Sequence, residues 1–147
     1  MTQIRRATEA DAEVAINTLR RSISELCFAD HDGDVQEIKA WLRNKTVAAW
    51  NDWIAREDVL VLVADRNQTV VGVGMVSLQG KIMLNYVHPD ARFSGVSKAM
   101  VAAMEEELRS RKVPCCQLES TTTAREFYVN CGFQREEANA LIMSKTL

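Results

Sequence analysis

The sequence has few of the residues that interrupt or cross-link a chain. Its 147 residues include two prolines, six glycines and four cysteines, and no internal repeat or Pro/Gly-rich linker divides it. A typical domain has about 150 residues, so we predict a single domain over residues 1–147. A chain of this length buries roughly 68–70% of its unfolded surface, and it therefore needs neither a disulfide nor a metal to hold a core.

The cysteines lack the spacing of a metal site or a redox motif. Cys27, Cys115, Cys116 and Cys131 form no C-x-x-C pair, and the sequence neighbours Cys115 and Cys116 are poorly placed to bridge to each other. They stand in apolar stretches, where a free cysteine is usually a small buried hydrophobe. We expect no structural disulfide. We also expect no catalytic cysteine, because nothing in the sequence nominates the histidine partner that such a nucleophile needs.

Neither sign of charge is in large excess, and no long apolar run is present. Eighteen Lys and Arg against twenty Asp and Glu give a net charge of −2, whereas a broad nucleic-acid or anionic-membrane surface requires a basic excess. No run approaches the roughly 20 apolar residues of a membrane span, and the N-terminal residues lack the core of a signal peptide. We therefore expect a soluble, cytoplasmic protein that binds neither nucleic acid nor membranes.

The hydrophobic periodicity predicts a mixed α/β sheet. Apolar residues recur at helical spacing over residues 9–26, 35–56 (with a break near 44–46), 94–112 and 121–130. Short β-branched or alternating runs predict strands at residues 3–6, 59–64, 69–78, 81–87, 115–119, 133–135 and 140–145. Short connections make the three central strands an antiparallel meander, and the long helix that follows makes the next strand parallel to the last of them.

The segment that joins the meander to the long helix indicates an anion site. The N–H groups at the start of a helix have no partners inside the helix and bind anions readily. Gly95 lets a ligand approach the backbone, and Arg92 and Lys98 supply positive charge. The residues alone are consistent with a phosphate or pyrophosphate pocket and with an ordinary loop that has a serine cap. They do not form a Walker loop or a dinucleotide fingerprint, because G-K-[ST] and G-x-G-x-x-G are both missing.

Two motifs resemble those of the GNAT N-acetyltransferase superfamily. Residues 92–97 are similar to its acetyl-CoA pyrophosphate signature, [QR]-x-x-G-x-[GA], with Phe93 where glycine is frequent and Ser97 at the final position. Val87-x-Pro89 matches the end of the preceding strand. The helix motif A-x-x-F-Y-x-x-x-G-F is filled by Ala124, Phe127, Tyr128, Gly132 and Phe133. The resemblance covers most of the chain, and it implies a mostly antiparallel sheet with helices on both faces and one β-α-β crossover at the acetyl-CoA site.

The resemblance also implies which residues handle acetyl-CoA as co-substrate. The implied cofactor-binding residues are Tyr86, Val87, Arg92, Phe93, Ser94, Gly95, Val96, Ser97, Lys98, Thr123 and Tyr128. A backbone amide near Val87, at a splayed or bulged strand end, would polarise the thioester carbonyl. Tyr128 would be the general acid that protonates the departing thiolate. Its other interpretation is as half of a packed aromatic pair with Phe127.

The resemblance does not single out a general base. Many members of the superfamily carry a carboxylate on the strand before the phosphate loop, but that strand has no acid here. The candidates are Glu119, a residue of the polar break (His31 or Asp32) and a water relay, although a loop histidine is commonly solvated surface. Asp32 and Trp41 are candidate substrate-binding residues, because the corresponding region borders the acceptor pocket in relatives. The alternative interpretations are that Asp32 belongs to a solvated acidic turn and that Trp41 is an aromatic residue of the core.

The acidic turn does not predict a metal. If Asp30 is position 1 of a calcium loop, Val35 stands where glycine is needed and Trp41 where a bidentate glutamate is needed. We expect no metal site.

Together these features predict an N-acetyltransferase that moves acetyl from acetyl-CoA to a primary amine of a small molecule or peptide by direct attack. Two alternatives stay open. One is a non-catalytic acyl-CoA-binding regulatory module, and the other is a structural α/β domain with an incidental loop. The superfamily often pairs through sheet edges or C-terminal strands, so the resemblance also suggests a homodimer.

Overall fold

The computed structural model describes residues 1–136 and 139–147. Its strands are β1 (Thr2–Arg6), β2 (Val59–Arg66), β3 (Thr69–Ser77), β4 (Lys81–Val87), β5 (Cys115–Glu119), β6 (Gln134–Glu136) and β7 (Asn139–Thr146). Its helices are α1 (Ala12–Leu26), α2 (Phe28–His31), α3 (Val35–Leu42), α4 (Val47–Ala55), α5 (Val96–Ser110) and α6 (Arg125–Asn130). The strands form one sheet in the order β1-β2-β3-β4-β5-β7-β6.

The predicted mixed α/β architecture is confirmed. The pairings are antiparallel except that of β4 with β5, which α5 connects as a crossover. The predicted break in the second helical stretch separates α3 from α4, where the Thr46 hydroxyl accepts a hydrogen bond from Ala49 N–H at 3.1 Å and caps the new helix. The predicted helix over 121–130 begins later, at Arg125, because the threonines before it form a turn.

Helices cover both faces of the sheet. One core lies between the sheet and α5, with Met100, Met104 and Leu108 fully buried. The second core lies between the sheet and α1 and α4, around Leu19 and Trp50. A Cβ on Gly72 would lie 2.8 Å from Val96 Cγ1 and 3.1 Å from Ala64 Cβ, so glycine at this position of β3 lets the start of α5 pack closely.

The sheet opens between β4 and β5, and a bulge in β4 explains where. On the β3 side, Met75 pairs with Leu84 and Val76 with Ile82, so Met83 is the extra residue of the bulge. Among the described residues, the register between β4 and β5 is limited to Lys81 with Gln117 and to Ile82 with Leu118. A bulge bends a strand and increases its twist. The rest of β4 therefore diverges from β5 and leaves a gap.

The cysteines are free, and they do not all behave as expected. Cys27 and Cys116 are buried as predicted, but Cys115 is exposed. The expectation for Cys115 was wrong because neighbouring residues on a strand face opposite sides of the sheet, so two adjacent cysteines cannot both enter one core. None of the described helices is long and apolar enough to cross a membrane.

Candidate functional site

A cavity of about 440 Å³ lies where β4 leaves β5. The carboxyl end of β4, the start of α5, the C-terminal end of α1 and the segment around α6 surround it. Ten of the predicted cofactor-binding residues line it, namely Tyr86, Val87, Arg92, Phe93, Gly95, Val96, Ser97, Lys98, Thr123 and Tyr128. The structure thus brings both sequence motifs to one cavity, and contact of these residues with a cofactor stays a prediction.

Ser94 differs from its neighbours in the loop. Its hydroxyl donates to Ala91 O and accepts from Arg66 Nη2 at 3.1 Å, and it is not among the residues that line the cavity. Its side chain therefore shapes the loop, and contact of Ser94 with a cofactor stays a prediction.

Gly95 caps α5 and leaves room for an anion at the start of the helix. Its φ is +84°, in the left-handed region that favours glycine, and a Cβ placed on it would meet nothing within 4 Å. The first N–H groups of α5 and the positive end of the helix dipole lie beside the cavity wall. Arg92 and Lys98 line the same wall, so the loop has both the dipole and the charge that a phosphate requires.

Phe93 is strained and exposed at the cavity mouth. Its φ is +63°, and 91% of its surface is accessible. The Arg92 guanidinium lies 4.5 Å from the ring centroid, within the range of a cation–π contact. The replacement of the usual glycine by phenylalanine keeps the left-handed backbone at this position, at a cost of about 1–2 kcal/mol.

Tyr128 is buried between the cavity and the core. Only 6% of it is accessible, and its ring packs edge-on against Phe127 and Phe133 at centroid distances of 5.0 and 5.7 Å. Its hydroxyl oxygen accepts a hydrogen bond from Asn85 Nδ2 at 3.2 Å. Burial raises the pKa of Tyr128 to about 12, although the Asn85 hydrogen bond lowers it in part. The phenol is therefore protonated at neutral pH and can be a proton donor; the aromatic packing accounts for its position but leaves the hydroxyl free to donate.

The backbone of β4 turns a donor toward the gap. His88 N–H donates to Val71 O on β3 at 2.8 Å. Because successive N–H groups of an extended strand point to opposite sides, Val87 N–H points away from β3 and toward the side that β5 has left. This is the geometry that a carbonyl-polarising amide needs.

A second, smaller pocket of about 50 Å³ adjoins the cavity. The two share a wall made of Asn85, Tyr86, Thr121, Ala124 and Tyr128. Glu119, a candidate base, lines the small pocket, and its side chain is exposed at the end of β5. The sequence does not indicate Asn85, because this residue is neither an acid nor part of either motif. Its Oδ1 is buried and has no hydrogen-bond partner among the described residues.

His31 lies apart from this site in a structural role. It is 1% exposed, its Nε2 lies 2.8 Å from Ile23 O, and its Nδ1 accepts from Gly33 N–H at 3.1 Å. The Nε2 atom faces a carbonyl oxygen and the Nδ1 atom a backbone N–H, so both ring nitrogens are used within the protein. The interpretation of His31 as solvated surface is wrong, because α2 folds the ring inward, and the buried ring has no nitrogen free to accept a proton from a substrate.

The acidic turn is used locally. The Asp30 carboxylate accepts from Thr122 N–H at 2.5 Å, from Thr123 N–H at 3.1 Å and from the Thr123 hydroxyl at 2.5 Å. The Asp30 carboxylate therefore fastens α2 to the turn before α6, whose Thr123 lines the cavity, and we call these three hydrogen bonds the Asp30 strap. Asp32 is exposed in a left-handed conformation at the end of α2 and lines neither cavity. No cluster of metal-ligating side chains occurs within residues 1–136 and 139–147.

Trp41 lies behind the cavity wall. It is half-buried, its ring centroid is 6.2 Å from that of His31, and it does not line either cavity. A hydrogen bond from Trp41 partly offsets the burial that raises the pKa of Tyr86. Trp41 therefore supports a lining residue from outside.

Helix α1 contributes a wall that the motifs did not reveal. The large cavity is also lined by Ser22, Leu26 and Cys27. In the sequence these residues come before the whole β2–β3–β4 meander that leads to the phosphate loop. Burial raises the pKa of the Cys27 thiol to about 12, so it is not a thiolate nucleophile at neutral pH. The only sequence signal was the apolar face of α1, which does not distinguish a core from a cavity wall.

Comparison with known protein families decides what kind of domain this is. Residues 29–141 match the acetyltransferase (GNAT) domain model. The chain belongs to the GNAT acetyltransferase family. The match confirms the resemblance of the two motifs, and it confirms acetyl-CoA as the co-substrate, which GNAT acetyltransferases share. A comparison with curated proteins gives no match.

Solved structures share the fold of this GNAT domain over their whole length. A PaiA N-acetyltransferase from Thermoplasma acidophilum, in complex with coenzyme A, has a TM-score of 0.86 at 20% identity, with 100% of this chain and 99% of that chain covered. A GCN5-related N-acetyltransferase from Rhodopseudomonas palustris has a TM-score of 0.86 at 23% identity, with 100% and 96% covered. The ribosomal-protein-S18-alanine N-acetyltransferase from Escherichia coli has a TM-score of 0.70 at 16% identity, with 99% and 94% covered.

Proposed function

We propose that this GNAT domain transfers acetyl from acetyl-CoA to the primary amine of a small molecule or peptide by direct attack. One observation carries the proposal. One cavity, at the gap between β4 and β5, is lined both by a loop with the features of a phosphate site and by the buried phenol of Tyr128, whose hydroxyl can donate its proton.

The cavity has the volume of a small-molecule site, and the chemistry of its lining suits the cofactor. Its volume of about 440 Å³ is within the range of small-molecule sites, roughly 300–1,000 Å³. The start of α5, with Arg92 and Lys98, would hold the phosphates, and the apolar walls from α1 and α6 would hold the arm that leads to the thioester. Bound acetyl-CoA supplies an activated acetyl group.

The residues at the gap divide the chemistry between them. The amine nitrogen forms the new C–N bond with the carbonyl carbon while the C–S bond breaks. Val87 N–H stabilises the negative charge that develops on the carbonyl oxygen. Tyr128 gives its proton to the sulfur, and the nitrogen loses its extra proton to a base.

Tyr128 suits the acid role although its pKa of about 12 exceeds the usual thiol value of about 8.5. Burial raises the pKa of any acid whose ionised form is an anion, so the sulfur in the same cavity is also a stronger base than in water. The hydrogen bond from Asn85 stabilises the phenolate after the proton has left.

We assign the base to Glu119 or to water in contact with it. Glu119 lines the small pocket next to Tyr128, whereas both nitrogens of His31 are engaged in the protein interior. Direct attack is preferred over an acyl-enzyme because the buried Cys27 thiol, which lines the cavity, is protonated at neutral pH.

The test is the release of coenzyme A that depends on an added amine. Acetyl-CoA binding is first measured as a rise in melting temperature, since a ligand of the native state stabilises it by mass action. A panel of primary amines is then scored for thiol release with a chromogenic disulfide. Binding without release by any amine would favour the regulatory acyl-CoA-binding module. No shift at millimolar acetyl-CoA would refute the cofactor site itself.

We leave the homodimer as a separate proposal. The sheet ends at β1 and β6, which are the strands available for pairing between copies. Sedimentation equilibrium would give the mass in solution, and a monomer at all concentrations would refute it.

A further inference from the structure

A buried ion pair joins helix α5 to strand β7, and neither of its residues lines the large cavity. The side chain of Glu105 on α5 is 5% exposed, and its two oxygens accept hydrogen bonds from Lys145 Nζ at 2.9 and 3.2 Å. Arg109, one turn later on α5, donates to Glu105 Oε1 at 3.1 Å. A carboxylate this buried needs such partners, because an unpaired charge in the interior strongly destabilises a fold.

Lys145 also donates outside the ion pair. An ammonium group has three donors, and Lys145 Nζ donates to Cys131 O, at the C-terminal end of α6, at 2.9 Å. The last carbonyls of a helix have no partner inside the helix, and a lysine side chain can supply one. The same Nζ lies 5.9 Å from the centroid of the Phe133 ring, within cation–π range. The pair of Glu105 and Lys145 therefore connects α5 to the segment that ends α6.

This end of α6 holds Tyr128 in place. The Tyr128 carbonyl accepts from Cys131 N–H and from Phe133 N–H, each at 3.0 Å. Gly132 closes the turn with φ +95°, and a Cβ on it would lie 3.3 Å from Lys145 Cε, so the lysine packs directly on this turn. The Phe133 ring in turn packs edge-on against the Tyr128 ring. Lys145 thus contacts both the backbone turn and the aromatic ring that fix the position of Tyr128.

We propose that Lys145, held by Glu105, is a positioning residue that sets where the Tyr128 hydroxyl lies on the cavity wall. Stability alone does not account for the pair, because apolar side chains of similar volume often replace a buried ion pair without loss of stability. What such a replacement lacks is the donor to Cys131 O. The inference rests on the proposed function, in which Tyr128 gives its proton to the sulfur, and a misplacement of about 1 Å can lower a rate roughly 100-fold.

Two variants remove the lysine. Lys145→Met deletes the donor to α6 but leaves the Glu105 carboxylate buried. The double variant Glu105→Leu with Lys145→Met removes that charge as well, so it should fold with a Tm close to that of the wild type. Both should lower kcat about tenfold or more, whereas the Kd for acetyl-CoA in calorimetry should stay within about threefold, because the phosphate loop is unchanged.

Arg109→Met is the matched control. It removes the other cation bound to Glu105, and the second charged partner of Arg109 is Glu106 on the same helix, so α6 keeps its contacts. Its kcat should match the wild type. A fall in kcat equal to that of Lys145→Met would overturn the proposal, because the effect would then come from the charge on Glu105. Wild-type kcat in the double variant would overturn it as well.

The Tyr128→Phe background tests whether Lys145 acts through the phenol. A residue that only places the hydroxyl has nothing to place in that background, so the double variant should lower the kcat of Tyr128→Phe by less than about twofold. A further fall of about tenfold would overturn the proposal, because Lys145 would then act by another route.

A spectroscopic measurement keeps this inference distinct from the proposed function. The chain has two tyrosines, so protein labelled with ¹³C at the tyrosine ζ-carbon gives two NMR signals, which Tyr86→Phe assigns. If no amine is acetylated, the proposed function fails. A shift of the Tyr128 signal in the double variant, absent from Arg109→Met, would still support the role of Lys145. A Tyr128 signal that keeps its wild-type position in the double variant would overturn it.

Discussion

Tyr128→Phe is the substitution that tests the proposed chemistry most directly. It removes one oxygen and keeps the ring, so the contacts with Phe127 and Phe133 at 5.0 and 5.7 Å remain. The general acid is lost, and acid–base groups contribute about 10²- to 10⁴-fold to enzymatic rates. We expect kcat to fall at least about 100-fold while the Kd for acetyl-CoA changes less than about threefold.

The stability change expected for Tyr128→Phe also follows from the structure. The hydroxyl makes one hydrogen bond among the described residues, at 3.2 Å from Asn85 Nδ2, and its loss leaves that N–H without its acceptor. The cost is about 1–2 kcal/mol, equivalent to a fall of roughly 2–8 °C in Tm for a chain of this size. Urea unfolding measures it, and a much larger loss together with loss of acetyl-CoA binding would make Tyr128 a packing residue.

The sequence provides a matched control, because it contains only two tyrosines and both line the cavity. Tyr86→Phe removes a phenol from the same cavity but not the proton donor, so kcat should fall less than about tenfold. Initial rates of coenzyme A release with a saturating amine give both values. A Tyr128→Phe variant whose kcat is within about threefold of the wild type would refute the acid role.

Three further predictions concern Phe93 in the loop, the Asp30 strap and Cys116 in the core. Phe93→Gly removes the side chain of a residue with φ +63° and should raise the free energy of unfolding in urea by about 0.5–1 kcal/mol. The reason is that the relief of left-handed backbone strain exceeds the cost of the added flexibility of glycine. A lower free energy of unfolding would contradict the conclusion that Phe93 is strained. Asp30→Ala frees the turn at Thr123 and should raise the Kd for acetyl-CoA about three- to tenfold by calorimetry, whereas an unchanged Kd would mean that the strap does not shape the cavity. Burial raises the pKa of Cys116 from 9.0 to about 12, so above pH 9 the unfolded chain loses a thiol proton that the folded chain keeps, and the free energy of unfolding falls with pH. Cys116→Val should make that decline shallower by about 1.4 kcal/mol per pH unit between pH 9 and 12, and parallel curves would contradict it.

The sequence was a good guide wherever local patterns determine structure. The strand over Cys115–Glu119 has the predicted bounds, and the break between α3 and α4 falls at the predicted residues. The loop motif and the Tyr128 motif come together because each is anchored on its own element, and the crossover geometry brings those elements to the same strand ends.

The parts that could not be predicted depend on contacts between distant segments. The sequence predicts His31 to be a loop residue. In the structure it ends the one-turn helix α2, which buries its ring against Ile23. Asp30 belongs to an acidic turn in the sequence, yet its partners Thr122 and Thr123 are more than ninety positions away. Asn85 has no motif, because its importance arises from its hydrogen bond to Tyr128, which only three-dimensional structure reveals.

The bulge at Met83 has a mechanical consequence. Among the described residues, the backbone pairing of β4 with β5 stops after Ile82 with Leu118, whereas one hydrophobic core continues across both strands. A ligand that lies in the gap contacts both strands and replaces the missing backbone pairing with contacts of its own. Beyond the bulge, the separation of the two strands therefore depends on side-chain packing and on the ligand, and not on a ladder of backbone hydrogen bonds.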